Sequence, residues 1–131
     1  MPNMAAITVK KADGTTDIVW TNMSPSAGDR VQAVWRSQTV GGTVAQRPSF
    51  SAWAFGTPGG NQREFKTALV YPILQVASGV TTIIGYCTQT SDTKVLLNAP
   101  DVDAGEAVYQ GFNLLGSALI KQSAKEGFAP T

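Results

Sequence analysis

Apolar and polar positions alternate with a period of two through most of this chain and change to a helical period once, after Pro100. Ala6–Lys11 alternates around Ile7 and Val9, Thr15–Thr21 around Ile18 and Trp20, and Lys11-Ala12-Asp13-Gly14 lies between them. An Asp-Gly pair between alternating runs predicts a β-hairpin over 6–21, because glycine takes the positive φ that such turns need. Asn22–Gly28 reads as a loop. Asp29–Thr39 predicts a strand with Val31, Ala33 and Trp35 on one face and Arg30, Gln32, Val34 and Arg36 on the other, broken by Gly41-Gly42. Ala45–Phe55 predicts the next strand, with Phe50, Ala52 and Ala54 opposite Arg47, Ser49, Ser51 and Trp53. Gly56–Gln62, with one Pro and three Gly, is a turn.

Arg63–Val76 predicts a long strand in which Phe65, Thr67, Leu69 and Tyr71 share one face and Glu64, Lys66, Ala68 and Val70 the other. Pro72 has no amide to give a ladder, which puts it at an edge or a bulge. After the turn Ala77-Ser78-Gly79, residues Val80–Leu97 are extended; the polar middle, Thr88–Lys94, allows one long strand or two short ones about a turn. Beyond Pro100, the spacing of Val102, Ala104, Ala107, Val108, Gly111, Leu114 and Leu115 puts them on one face of a helix. Asp101, Asp103 and Glu106 fill its first turn, where carboxylates suit the free amides and the positive dipole end. Gly116 breaks or kinks it, and Ala118, Leu119 and Ile120 give an apolar face to a second, short helix. The expectation is one α+β domain over 1–131: hairpin 6–21, antiparallel sheet 29–98 of about five strands, and helices over about 101–125.

Composition narrows the function. Hydrophobic residues at 43% and charged ones at 15% describe a globular chain poor in charge. Either other subunits cover much of its surface, or it is a small β-rich protein surfaced with Thr, Ser, Gln and Asn. A net charge of +1 argues against nucleic-acid binding by bulk electrostatics and leaves room for one local patch repeated in an assembly. Histidine is absent, which removes Ser-His-Asp and Cys-His arrangements and the commonest zinc sites. Cys87 is the one cysteine, so no intrachain disulfide forms; inside a predicted strand it reads as a small packed residue rather than a nucleophile. Asp101, Asp103 and Glu106 are too closely spaced for a calcium loop, and Gly56–Gln62 lacks the Gly-Lys-Ser/Thr ending of a phosphate loop. No catalytic residue, cofactor, metal or small-molecule substrate is expected. With no apolar run long enough to span a bilayer and no leader, the chain is expected to be soluble and cytoplasmic, with no membrane partner.

The faces of the long strands hold the remaining chemistry. Ser49, Ser51 and Trp53, then Lys66 and Ala68, then Tyr86, Thr88 and Thr90 are each spaced by two, so each group lies on one face of its strand. Hydroxyls, a lysine and two aromatic rings on one sheet face suit an RNA hairpin, whose unpaired bases stack on rings while hydroxyls bond to base edges and cations meet phosphates; a solvated polar face is the plain alternative. Arg30, Arg36, Arg47, Arg63 and Lys94 are further candidates for phosphate contact.

An all-β body ending in two amphipathic helices resembles the coat proteins of the single-stranded RNA bacteriophages. The likeness is carried by PDVDAGEAVYQGFNLLGSALI at the helices, the strand Val31–Trp35 and the basic-aromatic strand Arg63–Pro72, and it follows the order of elements along nearly the whole chain. It implies a homodimer in which each pair of helices interlocks across the partner's sheet, with Val108, Phe112, Leu115 and Leu119 as dimer contacts. It implies an icosahedral shell around phage RNA, assembled in the bacterial cytoplasm, and an RNA hairpin bound on the sheet face to repress replicase translation. It favours one long strand over Val80–Leu97 and an N-terminal hairpin lying above the sheet on the outer surface. Ser49, Ser51, Lys66, Thr88, Thr90 and Asp92 fall at the family's RNA-contact positions; Ala68 and Glu64 depart from its basic pattern. The loop at Ala77–Gly79, which in the family gathers around the shell's symmetry axes and changes conformation there, is shorter in this chain. The alternatives are a nucleic-acid-binding module that forms no shell and a small β-barrel holding an apolar ligand.

Overall fold

A computed structural model describes residues 2–37, 42–56, 59–98 and 100–131; the Asp101 carboxylate, the strand end at Gln38–Thr39, Gly41 and the Thr57-Pro58 half of the expected turn lie outside them. Six antiparallel strands follow one another in the order β1 to β6: β1 (Ile7–Lys10), β2 (Asp17–Ser24), β3 (Ala33–Ser37), β4 (Ser49–Gly56), β5 (Gln62–Ala77) and β6 (Val80–Leu96). Helices α1 (Asp101–Leu115) and α2 (Ala118–Glu126) close the chain. The sheet is open, with β1 and β6 at its edges, so the closed ligand-binding barrel is set aside. Among the described residues no helix is long and apolar enough to cross a membrane.

The hairpin forms where the Asp-Gly signal lies. Asp13 accepts hydrogen bonds from the amides of Thr15 and Thr16, both at 2.9 Å, and from the Thr16 hydroxyl at 2.6 Å, and Gly14 takes φ +74. These bonds to the ionised form lower the Asp13 pKa from its ordinary 3.8 to about 2. β2 pairs with β3, which joins the hairpin to the sheet and brings the strand count to six. A bulge between Asn22 and Ser24 interrupts that pairing, and Trp35 Nε1 donates to the Ala5 carbonyl at 2.8 Å, which ties the N-terminal segment over the face that carries Trp35.

Two strand starts also move. β3 begins at Ala33, because Gly28–Val31 closes into a turn, and β4 begins at Ser49 rather than Ala45. Val44–Gln46 is instead a short 3₁₀ turn: the Gln46 side-chain oxygen accepts from the Gly42 and Thr43 amides at 3.2 and 3.3 Å, and the Thr43 side chain caps the other end of this capping box. Pro48, without an amide, then separates the turn from the strand.

β5 and β6 pair along their whole lengths, from Gln62 opposite Leu96 to Ala77 opposite Val80. Thr88–Lys94 is therefore strand, as the resemblance favoured. Pro72 satisfies both halves of its expectation. β4 ends its pairing at Ser49–Val70, so Pro72 has no neighbour on that side, and a bulge follows at Ile73/Leu74. The turn between the strands is two residues long, Ser78 at φ +52 and Gly79 at φ +78, the left-handed pair that a tight hairpin requires.

The pairings give the sheet two unlike faces. One carries Trp35, Phe50, Ala52, Ala54, Phe65, Leu69, Tyr71 and Cys87; Trp35 and Phe50 meet with ring centroids 5.8 Å apart. On the other lie Arg36, Ser49, Ser51, Trp53, Phe55, Lys66, Thr88 and Thr90. Among the described residues neither helix spreads over either face, and the N-terminal segment reaches the Trp35 side through Ala5. α1 meets the sheet where Ala104, Ala107 and Val108 form a cleft with Val95 and Leu96 at the end of β6. Among the described residues only Ser37, Pro48, Ala52 and Pro72 are buried, none of them a large aliphatic or aromatic side chain. The chain exposes 9458 Å². A compact monomer of 13.8 kDa exposes about 6,600 Å².

Candidate nucleic-acid interface

Register turns the sequence's period-two groups into rows. Ser49, Val70 and Thr88 stand side by side on β4, β5 and β6; next come Ser51, Ala68 and Thr90; then Trp53, Lys66 and Asp92; then Phe55, Glu64 and Lys94. Tyr86, opposite Pro72, lies one row beyond the first and is 60% exposed. All seven expected RNA-contact residues, Ser49, Ser51, Trp53, Lys66, Tyr86, Thr88 and Thr90, thus share one face of three adjacent strands. Hydroxyls occupy the centre, with aromatic rings at both ends.

Lys66 stands in the third of these rows, beside Trp53. Its Nζ lies 3.8 Å from the Glu64 carboxylate, 3.7 Å from that of Asp92 and 5.6 Å from the centroid of the Phe55 ring. These ion pairs are partly solvated, and such pairs are worth about 0–1 kcal/mol, so a phosphate can displace either carboxylate. Trp53, Lys66, Thr90 and Asp92 line a shallow recess in which a planar group would find a ring, a cation, a hydroxyl and a carboxylate.

The other cations divide between the faces. Arg36 is on the hydroxyl-bearing face and donates to the Val44 carbonyl at 2.7 Å; Lys94 ends the fourth row. Arg63 points to the opposite face and pairs with Asp29 at 2.7 Å, a hydrogen bond that holds the Asp29 carboxyl below its usual range. Arg47 precedes β4 in the loop and is half-buried, so the parity that set it beside Ser49 does not apply. Phe55 is the residue the sequence reading left out. Its signal was available, because it continues the Ser51, Trp53 spacing.

The helical side presents a different surface. Val108 is half-buried in the cleft against its own β6, whereas Phe112, Leu115 and Leu119 are exposed, Leu119 at 61%. Beside them, β6 forms a 17-residue edge with no strand on its outer side among the described residues.

No family model matches this chain, and no curated protein matches it either. Solved structures do. The subunit of the virus-like particle of Beihai levi-like virus 21 superposes with a TM-score of 0.82 at 20% identity, over 99% of this chain and 98% of that one. The coat protein of bacteriophage EMS014 gives 0.79 at 12% identity over 99% and 100%, and the capsid protein of bacteriophage GA gives 0.70 at 17% over 95% of each. The chain therefore has the fold of RNA-phage coat proteins, from its first strand to its last helix.

Proposed function

We propose that this protein is the coat protein of a single-stranded RNA phage, a structural protein that does no chemistry. The observation that carries this reading is the end-to-end match to subunits of virus-like particles, whose chains are covered almost completely by this one. Homodimers form first, by joining the β6 edges and laying α1 and α2 across the partner's apolar sheet face. Phe112, Leu115 and Leu119 then become dimer contacts, and Val108 packs beneath them. Dimers close into an icosahedral shell in the bacterial cytoplasm and enclose RNA against the face that carries Ser49, Ser51, Lys66, Thr88 and Thr90. An unpaired base stacks on Trp53 or Tyr86, and a hairpin bound there represses translation of the phage replicase. What supports this half of the reading is the row arrangement of hydroxyls, rings and Lys66.

Expression of the chain alone in bacteria, followed by size-exclusion chromatography at 260 and 280 nm and negative-stain microscopy, tests the proposal. Uniform spheres rich in nucleic acid are expected. A small, nucleic-acid-free species at every concentration and salt would refute it. Dimers that bind RNA steeply with salt but never close would leave the binding module without a shell.

A further inference from the structure

The loop that leads into β3 holds a conformation its residue does not favour. Gly28–Val31 is a turn closed by the Val31 amide on the Gly28 carbonyl at 3.2 Å, and the Ser26 hydroxyl braces it by donating to the Val31 carbonyl at 2.7 Å. Arg30 occupies its third position with φ +66, a left-handed value that turns normally assign to Gly or Asn. The Arg30 amide donates to the Ala54 carbonyl at 2.9 Å, which docks the turn on the end of β4. Its guanidinium lies over the Phe55 ring, 4.3 Å from the centroid, on the face that carries Trp53 and Lys66.

The surroundings leave this cation available. Asp29, the adjacent carboxylate, is hydrogen-bonded by Arg63 from the other face and feels Arg30 as a neighbouring charge, and Arg30 makes no salt bridge within 4 Å among the described residues. Lys66 stands between two carboxylates, Arg36 is committed to the Val44 carbonyl, and Lys10 to Asp17 at 2.6 Å.

We propose that Arg30, held over the Phe55 ring, is a phosphate anchor at the end of the RNA face, and that its left-handed backbone serves to place it there. The proposal rests on the RNA-binding reading above. Stacking uses the face of the guanidinium and leaves its in-plane N–H donors free to form two parallel hydrogen bonds with one phosphate, a geometry lysine cannot reproduce. Phe55 is two residues along β4 from Trp53, roughly 7 Å away on the same face. A strand whose base stacks on Trp53 would pass its neighbouring phosphate over Arg30. A left-handed non-glycine residue that other contacts over-determine is where strain accompanies function.

The test uses the full-length protein, a fluorescent oligouridylate and a fluorescent RNA hairpin, with affinity measured across a salt series beside thermal unfolding. Arg30→Gly is expected to hold or raise the unfolding midpoint, because glycine adopts the same φ without strain, while weakening RNA binding severalfold and making the log–log salt slope shallower by about one. Arg30→Lys keeps the charge without the fork and is expected to lose affinity as well; Phe55→Leu, which frees the guanidinium, should fall between wild type and Arg30→Gly. If Arg30→Gly lowers the midpoint and leaves affinity and slope unchanged, Arg30 is a prop for the β3–β4 corner and the anchor is overturned, although RNA binding stands. If the wild type binds neither RNA at any salt, the RNA-binding reading itself falls and takes the anchor with it.

Discussion

Trp53 and Asp13 show how differently single residues weigh in this fold. Trp53 is half-exposed at the rim of a recess, packed enough to be oriented and open enough to stack. Under the RNA reading, Trp53→Ala should weaken hairpin binding by about 1–3 kcal/mol, the range for one base–aromatic stack, without lowering the unfolding midpoint of the protein. Equal loss of binding and stability would make it a packing residue. Asp13 acts on the hairpin turn through pH. Its folded pKa, about 2, lies below the ordinary 3.8, so its stabilisation of the turn is complete above about pH 4 and disappears as pH falls through 2. Asp13→Ala should therefore destabilise the hairpin equally at pH 7 and pH 5, and the difference between variant and wild type should vanish near pH 2, as read by exchange of the Thr15 and Thr16 amides. A difference already gone at pH 4 would mean that those hydrogen bonds do not form in solution.

Elements differ in how much their own residues determine. β5, α1 and the hairpin turn were legible in the sequence because period, Asp-Gly and Pro100 act locally, whereas the polar middle of β6, Thr88–Lys94, read as strand only through the family resemblance. The parity of Ser49, Ser51, Trp53, Thr88 and Thr90 gave the face of each strand, and only register was needed to make rows of them. What sequence could not supply depends on partners distant along the chain. The 3₁₀ turn at Val44–Gln46 hides behind a run that also reads as strand, and the pairing of β2 with β3 requires a bulge that no residue announces. Arg30 is least legible of all, since nothing local predicts an arginine with a positive φ. Two predictions belong here. Gly79→Ala would force a Cβ into the left-handed half of a two-residue turn and should cost about 1–2 kcal/mol, measurable as a lower unfolding midpoint. Phe112→Ala should weaken the proposed dimer by about 3 kcal/mol, because Phe112 is exposed within its own chain and in that dimer would pack on the partner. Sedimentation of the variant at low concentration gives that number, and an unchanged dimer would place Phe112 outside the interface.

At the scale of the whole molecule, the isolated chain is a sheet without a core. Its surface exceeds that of a compact monomer by about 2,800 Å², an amount suited to the large, apolar contacts of obligate dimers. Folding and association should then be one transition. Thermal midpoints of the proposed dimer should rise with each tenfold step in protein concentration. A midpoint independent of concentration would show that the monomer is stable alone and that the exposed helices have another use.

The two-residue turn between β5 and β6 bears on how such dimers could close a surface. A shell that gathers hairpin tips into rings of different size must find slack somewhere, and a loose loop provides it by changing shape. Here the ladder runs to Ala77 and Val80, leaving only Ser78 and Gly79 outside it. In the proposed shell, so short a tip would leave accommodation between one ring and another to the tilting of whole dimers about their seams, and the curvature would be set by those seams rather than by a segment that refolds.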